Sequence, residues 1–209
     1  PCKSLPVIDQ IIFDMDGVLC RTDFARRLTV LGDITGLEPR AVDAAIFQSG
    51  FDDLADRGHY SAAEYLELFA AHLGVPVSRE EWLAARRAAM TPDHDMLALA
   101  KRLQRRVPVA MLTNNGPLLQ EGLAEVFPQA VALFGDHAYF SCQFRSTKEE
   151  PAIFHAISQT LGARVENTLF IDDSEVYIAS AQSAGLATHQ YMGIDGLMSF
   201  MRQIGLSPD

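Results

Sequence analysis

The chain has 209 residues, of which 48% are hydrophobic and 21% charged, and its formal net charge is -10. This composition is typical of a globular protein with a full hydrophobic core, and the length predicts one domain with an insertion, or two small domains. The negative charge argues against nonspecific attraction to nucleic acid or to anionic membranes. A phosphate can still bind such a protein where a metal ion or a lysine reverses the charge locally.

The cysteines Cys2, Cys20 and Cys142 have neither a metal-ligand nor a disulfide spacing, which favours a reducing compartment. Cys20 lies next to the main motif described below, and we expect it to be a small buried residue rather than a nucleophile. No apolar stretch approaches the roughly 18 residues of a membrane span. The N-terminus lacks the charged-then-apolar pattern of a signal peptide. We therefore expect a cytoplasmic protein.

The first predicted element is a strand at Gln10–Phe13. The segment that follows, residues 21–90, contains no convincing strand and is too long for a plain connection. We therefore expect it to be an inserted helical domain. Glycines separate its predicted helices, which are Phe24–Thr35, Pro39–Gln48, Ser61–Leu73 and Ser78–Met90.

After the insertion, apolar runs alternate with amphipathic stretches, which predicts an α/β fold with a parallel sheet between helices. Residues 1–20 and 91–209 are expected to form one discontinuous α/β core. Its remaining strands are predicted at Val107–Leu112, Thr168–Ile171 and Ala187–Gln190. Its helices are predicted at Met96–Arg106, Pro117–Phe127, Pro151–Leu161, Ser174–Ala184 and Ile194–Ile204.

The strongest motif is Phe-Asp-Met-Asp-Gly-Val over residues 13–18, at the end of the first predicted strand. Residues two apart in an extended chain point the same way, so Asp14 and Asp16 are expected to project together from the strand end. Ligands bind at this end of the strands in open α/β sheets. Two close carboxylates can supply one ionised nucleophile and one general acid. Taken alone, the motif also suits a structural turn or a calcium loop.

Polar residues follow the other predicted strands as well. Thr113 and Asn114 precede a helix that opens on a proline, and they form either a phosphate cradle or only a helix cap. Lys148 either supplies the positive charge that a phosphate site in an acidic protein needs or lies solvated on the surface. Asp172 and Asp173 are suited to hold magnesium, or to cap the helix that follows.

These four motifs, in this order and over essentially the whole chain, resemble those of the haloacid dehalogenase superfamily. The resemblance implies a Rossmann-like core with a parallel sheet between helices, and a helical cap inserted after the first strand. It also implies Mg²⁺ as cofactor and a small phosphomonoester as substrate. Asp14 would be the nucleophile and a metal ligand. Asp16 would be the general acid and base, with its backbone carbonyl on the metal.

The same resemblance implies how the phosphoryl group and the metal ion are held. Thr113 and Asn114 would bind the phosphoryl group, and Lys148 would neutralise charge at the nucleophile. Asp173 would be a magnesium ligand, and Asp172 would lie in the ligand shell or just outside it.

Within the superfamily, the second aspartate of the first motif argues for a phosphatase, because a halide leaving group needs no proton. Several segments look most like the sugar phosphatases, including bacterial glucose-1-phosphate phosphatases. A phosphomutase and a non-catalytic ligand-sensing relative are the alternatives. Glu149 and Tyr177 depart from the common family pattern, and we expect neither to touch the chemistry.

The cap is expected to select the substrate through its leaving group. Five residues are candidates for contacting a leaving group, or else lie on a solvated helix face or in a turn: Arg21, Arg26, Arg27, His59 and Tyr60. We select Arg26 as the predicted specificity residue, because it lies on the first cap helix where the resemblance to sugar phosphatases is closest.

Overall fold

The structure is a computed structural model that describes residues 7–206. Within this range the strands are β1 (Gln10–Phe13), β2 (Cys20–Thr22), β3 (Met90–Pro92), β4 (Val109–Thr113), β5 (Ala138–Phe140), β6 (Thr168–Asp172) and β7 (Ala187–Gln190). The helices are α1 (Phe24–Thr35), α2 (Pro39–Ile46), α3 (Phe51–Asp56), α4 (Ala62–Leu73), α5 (Arg79–Ala88), α6 (His94–Leu103), α7 (Pro117–Val126), α8 (Pro128–Phe134), α9 (Ser141–Phe144), α10 (Pro151–Leu161), α11 (Glu175–Ala184) and α12 (Ile194–Gln203).

Five strands form a parallel sheet in the order β5-β4-β1-β6-β7. Strand β1 lies at the centre, with Ile12 opposite Ala110 of β4 and Phe170 of β6. Every residue of β1, β4 and β6 is buried, as expected for parallel strands that helices cover on both faces. The predicted α/β class, with a parallel sheet between helices, is confirmed.

The side chains of β1 alternate between two hydrophobic clusters. Ile11 and Phe13 belong to the larger cluster, which continues into the helices between β2 and β3. Ile12 belongs to the smaller cluster, with Phe154 of α10 and Ile178 of α11. Because successive strand residues face opposite sides, the clusters lie on the two faces of the sheet. Packing on both faces holds the ends of the central strands in fixed positions.

Helices α1 to α5 form one segment between β2 and β3, which we call the helical insertion (residues 23–89). Strands β2 and β3 pair antiparallel, with Cys20 opposite Pro92, so the chain leaves and re-enters the core at one place. The insertion packs against α7 and α9 of the core. At Gly58, whose φ is +69°, a Cβ would lie 2.2 Å from the carbonyl oxygen of Cys142. Only glycine permits this close approach.

Several short elements differ from the sequence-based expectations. The prediction that no strand occurs between Arg21 and Thr91 is wrong, because β2 ends and β3 begins inside that range. The helix predicted to end at Met90 stops at Ala88. Elements α3, β5, α8 and α9 were not predicted, since runs this short carry too little periodicity to recognise. The other predicted elements are present, with ends shifted by a few residues at most.

Two further observations concern the length of the helices and the state of the cysteines. No helix between residues 7 and 206 combines the length and the apolar character needed to cross a membrane. Cys20 and Cys142 are buried, free thiols, which confirms the expectation that Cys20 is a small buried residue. Burial raises the pKa of the Cys142 thiol to about 12 and raises that of Cys20 as well. Cys2 lies outside the described residues.

Candidate active site

Three neighbouring strands end at one edge of the sheet, because β4, β1 and β6 run parallel. Thr113 is the last residue of β4, Asp14 follows β1 directly, and Asp172 is the last residue of β6. Lys148 reaches the same edge from the segment between α9 and α10. The predicted polar residues therefore meet at the carboxyl ends of the strands, where ligands bind in open α/β sheets.

The carboxylates of Asp14, Asp172 and Asp173 form a cluster in which one oxygen of each lies within 4.8 Å of the others. Burial raises the pKa of Asp14, Lys148 opposes the rise, and Asp172 adds to it. Burial and Asp172 also raise the pKa of Asp173. Hard oxygen ligands at this spacing suit a divalent cation, which would relieve the repulsion between the carboxylates. The residues present therefore fit a magnesium ion.

Gly17 leaves the space that the cluster needs. Its φ is +90°, and a Cβ at this position would lie 2.4 Å from Oδ2 of Asp173. Any other residue would both strain the backbone and displace this carboxylate. The glycine of the first motif thus has a steric role at the metal-binding cluster as well as a conformational one.

Lys148 lies buried inside the cluster. Its Nζ is 2.6 Å from Oδ1 of Asp14 and 2.7 Å from Oδ2 of Asp172. Burial alone would lower the pKa of the amine, but the two carboxylates outweigh it and raise the pKa. The ring of Tyr177 lies 4.6 Å from Nζ, so the expectation that Tyr177 lies away from the chemistry is wrong. Lys148 is a charged amine fixed beside Asp14.

Asp172 and Asp14 differ in how their carboxylates are held. In Asp172, Oδ1 accepts a hydrogen bond from the backbone N–H of Ser174 at 2.8 Å, while Oδ2 accepts from Lys148. In Asp14, Oδ1 accepts from both Lys148 and the N–H of Met15. Both oxygens of Asp172 are thus engaged, which suits a residue that positions Lys148.

Asp16 faces the helical insertion. Nη2 of Arg86, on α5, donates to both carboxylate oxygens of Asp16 at 2.8 Å. Thr22 and Asn115 also donate to Asp16, at 2.5 and 3.1 Å. Burial would raise the pKa of Asp16, but Arg86 and these hydrogen bonds outweigh it and lower the pKa. In this arrangement Asp16 is an ionised carboxylate tied to the insertion.

The loop after β4 links these groups. The side chain of Asn115 donates to Oγ1 of Thr113 at 2.7 Å as well as to Asp16. Oδ1 of Asn114 accepts from the backbone N–H of Lys148 at 3.0 Å. The predicted phosphate-binding residues Thr113 and Asn114 therefore lie at the site and are fixed to its other members.

Arg26, the predicted specificity residue, lies exposed in the first turn of α1, where its backbone N–H donates to the capping Asp23. The role of Arg26 in substrate specificity stays a prediction. The neighbouring Arg27, which the sequence places among the candidates, is buried instead. Sequence reasoning missed Arg86 and Asn115. Arg86 carries no motif, but Asn115 directly follows the Thr-Asn pair that was selected.

Comparison with known proteins gives four matches. A family model described as haloacid dehalogenase-like hydrolase matches residues 8–185. A phosphatase of Mycobacterium tuberculosis is 27% identical over 190 residues, covering 87% of this chain and 86% of the relative. A HAD family enzyme of Bacteroides thetaiotaomicron, solved in complex with magnesium and inorganic phosphate, is 24% identical with a TM-score of 0.74, covering 87% of this chain and 93% of that one. A predicted HAD-like family hydrolase of Porphyromonas gingivalis is 21% identical with a TM-score of 0.80, covering 95% and 98%.

Proposed function

The chain belongs to the family of haloacid dehalogenase-like hydrolases, and from this premise we propose that it is a magnesium-dependent phosphatase acting on a small phosphomonoester. The observation that carries the proposal is the position of Lys148, whose Nζ lies 2.6 Å from Asp14 within a cluster of three carboxylates. A nucleophilic carboxylate, a fixed cation and hard oxygen ligands are together what phosphoryl transfer needs. The phosphatase of Mycobacterium tuberculosis and the magnesium-bound and phosphate-bound relative support the same activity.

The magnesium ion would be held by Asp14, Asp173 and the backbone carbonyl of Asp16. Asp172 is better suited to a place just outside the ligand shell, because Lys148 and Ser174 engage both of its oxygens. When bound, the ion supplies positive charge that offsets the repulsion between a carboxylate nucleophile and a phosphate dianion.

In the first step, a carboxylate oxygen of Asp14 forms a bond to phosphorus, and the bond from phosphorus to the leaving oxygen breaks. Lys148 neutralises charge at the nucleophile, while Thr113 and Asn114 bind the phosphoryl oxygens. The leaving oxygen takes a proton from Asp16. The products of this step are an aspartyl-phosphate on Asp14 and the free alcohol.

In the second step, a water oxygen attacks phosphorus and Asp16 takes the proton. The bond between phosphorus and Asp14 breaks, which restores the carboxylate and releases inorganic phosphate. Arg86 holds Asp16 in the ionised form that this second step requires. For the first step Asp16 must carry a proton, so we infer that its contact with Arg86 loosens when substrate binds.

We propose further that residues 21–90 act as a cap over a core made of residues 1–20 and 91–209. Arg86 supports this assignment, because it extends from α5 of the insertion to Asp16 of the core. The cap would contact the leaving group, with Arg26 as the specificity residue predicted from the sequence. We also propose a cytoplasmic location, on the cysteine pattern alone.

The proposal is tested by measuring phosphate release from a panel of phosphorylated metabolites with magnesium, and again after dialysis against excess chelator. We expect turnover of at least one metabolite with magnesium and its loss on chelation, with the circular dichroism spectrum unchanged. Full activity in chelator would remove the metal from the proposal. Transfer of the phosphoryl group to a second substrate position, instead of to water, would identify a phosphomutase. No turnover of any metabolite would favour a ligand-sensing protein.

A further inference from the structure

The helical insertion contains a largely buried arginine whose guanidinium has no hydrogen-bond partner among residues 7–206. Arg27 is 7% exposed, and its Cζ lies 4.9 Å from the ring centroid of Phe47 and 5.1 Å from that of Trp82. Within residues 7–206, no hydrogen-bond acceptor or carboxylate lies within bonding distance of this side chain. The rings stabilise the positive charge but accept none of its five N–H groups. Donors that lack a protein partner in a largely buried side chain are available to a group that binds there.

Arg27 lines a cavity of about 10 Å³ between the insertion and the start of α7. Its walls include Asp52 and Asp56 of α3, Tyr65 of α4 and Trp82 of α5. Oδ1 of Asp52 accepts a hydrogen bond from the Tyr65 hydroxyl at 2.5 Å. The buried Nε1 of Trp82 makes no well-formed hydrogen bond within the described residues. The cavity therefore combines unused donors with a carboxylate acceptor.

This cavity adjoins the place where a leaving group must lie. Asn115 forms part of its wall and also donates to Asp16 at 3.1 Å. Arg86, which binds Asp16, has a buried Nε that lacks a hydrogen-bond partner among residues 7–206. If Asp16 protonates the leaving oxygen, a leaving group that extends past Asn115 would reach the cavity lined by Arg27.

The groups around the cavity restrict what can bind there. A carboxylate or a second phosphate would accept from Arg27 but would be repelled by Asp52. An ammonium group would donate to Asp52 but would be repelled by Arg27 and Arg86. A hydroxyl accepts one hydrogen bond and donates another, so it can bridge Arg27 and Asp52 at no electrostatic cost.

We infer that Arg27 and Asp52 form a leaving-group subsite that takes a hydroxyl, so that the enzyme selects phosphates of polyhydroxy alcohols over phosphorylated acids and amines. The inference rests on the proposed phosphatase activity. The small volume fits it, since about 10 Å³ holds roughly one oxygen atom with its hydrogens. Arg27 and Asp52 are specificity residues here, because they contact a part of the substrate that does not react.

The test compares four small phosphomonoesters that differ in the group beside the ester: glycerol 1-phosphate, propyl phosphate, phosphoglycolate and phosphoethanolamine. We expect kcat/KM to be highest for glycerol 1-phosphate, by about tenfold or more over propyl phosphate, because a buried polar subsite rejects an analogue that leaves it unpaired. A higher kcat/KM for phosphoglycolate or phosphoethanolamine would overturn the inference.

The variants Arg27→Gln and Asp52→Asn test whether these two residues cause the preference for glycerol 1-phosphate. Each should bring the ratio of kcat/KM for glycerol 1-phosphate over propyl phosphate close to one. The exposed Arg40, replaced in Arg40→Gln, serves as the matched control and should keep the wild-type ratio. Asp52→Asn keeps the shape of the side chain, so it remains informative if Arg27→Gln folds poorly.

The outcomes separate this inference from the proposed function. If p-nitrophenyl phosphate is hydrolysed but glycerol 1-phosphate is not preferred over propyl phosphate, the subsite is wrong and the phosphatase assignment stands. An unchanged ratio in both variants would also contradict the subsite, as would a changed ratio in Arg26→Ala alone. If no phosphate ester is hydrolysed, the proposed function fails and the inference fails with it.

Discussion

The carboxyl edge of the sheet and the polar interior of the helical insertion both bury positive charge, but they pair it differently. At the sheet edge, Lys148 has carboxylates at 2.6 and 2.7 Å. In the insertion, Arg27 has only aromatic rings as neighbours within bonding distance among residues 7–206. Arg86 lies between the two regions, since it belongs to the insertion but binds Asp16 of the core.

This difference fits the proposed roles, in which the sheet edge carries out the reaction and the insertion selects the substrate. Groups that carry out one reaction on every substrate are best fixed in advance, because preorganised charges cost nothing when the reaction occurs. Groups that select among substrates need hydrogen-bonding positions that stay free until the correct substrate binds. The following predictions test whether chemistry belongs to the sheet edge and selection to the insertion.

The largest effect is expected at Asp14. Asp14→Asn should remove essentially all turnover, a loss on the order of 10⁴-fold or more, as for other enzymes that lose their nucleophile. The fold should persist, because losing one of three crowded carboxylates offsets part of the lost ion pair with Lys148. Steady-state kinetics and a thermal melt check both parts. Retention of more than a few per cent of the wild-type rate, with contamination excluded, would contradict the covalent mechanism.

The next effect concerns Asp16. Asp16→Ala should reduce kcat/KM for an alkyl phosphate by about 10²–10⁴-fold. The loss for p-nitrophenyl phosphate should be smaller, because nitrophenolate leaves without a proton. Some loss is expected with both substrates, since Asp16 also assists hydrolysis of the aspartyl-phosphate. Single-turnover rates identify the step that is measured. Equal losses on both substrates would exclude Asp16 as the leaving-group acid.

A comparison of alanine variants at Gly17 and Gly36 separates an effect on the metal site from the effect of backbone strain. Gly17→Ala and Gly36→Ala both place a side chain at positive φ, at a cost of about 1–3 kcal/mol. Gly36 has nothing within 4 Å, whereas a Cβ at Gly17 meets Asp173. Both variants should melt earlier, but only Gly17→Ala should raise the magnesium concentration for half-maximal activity, by about tenfold or more. The same magnesium requirement in both variants would indicate that Asp173 does not bind the metal.

The smallest effect tests whether the two regions unfold separately. Ser61 caps α4, accepting a hydrogen bond from the N–H of Glu64 while the Glu64 carboxylate accepts from the N–H of Ser61. Ser61→Ala should cost about 1 kcal/mol. Amide hydrogen exchange should quicken in α4 and stay unchanged in β1. The exposed Ser183 of α11, replaced in Ser183→Ala, is the control. Faster exchange in β1 would mean that insertion and sheet open together.

Much of the sheet edge could be predicted from the sequence. Each residue there follows a buried strand whose apolar run is easy to recognise, and parallel strands bring their ends together. That rule alone brings Asp14, Thr113 and Asp172 to one edge. Lys148 needed the family resemblance, because a single lysine before a helix has no distinguishing pattern.

The polar interior of the insertion could not be predicted in the same way. Which residues of a helix face inward depends on how it packs against its neighbours, and Arg26 and Arg27 are adjacent on α1. Arg26 is exposed, but Arg27 packs between the ring of Phe47, which follows α2, and that of Trp82 in α5. Arg86 binds a residue 70 positions away in the chain, and no local spacing encodes such a contact.

The pairing of β2 with β3 has a consequence for how this protein can change. Cys20 lies opposite Pro92, so the two ends of the insertion are held together by the pairing of β2 with β3. The register of the five-stranded sheet therefore does not depend on how long that intervening segment is. Lengthening a loop of the insertion, or exchanging its helices, would alter the surface above the site while leaving Asp14 and Lys148 in place. The selectivity proposed for the insertion could thus change while the sheet edge keeps its geometry.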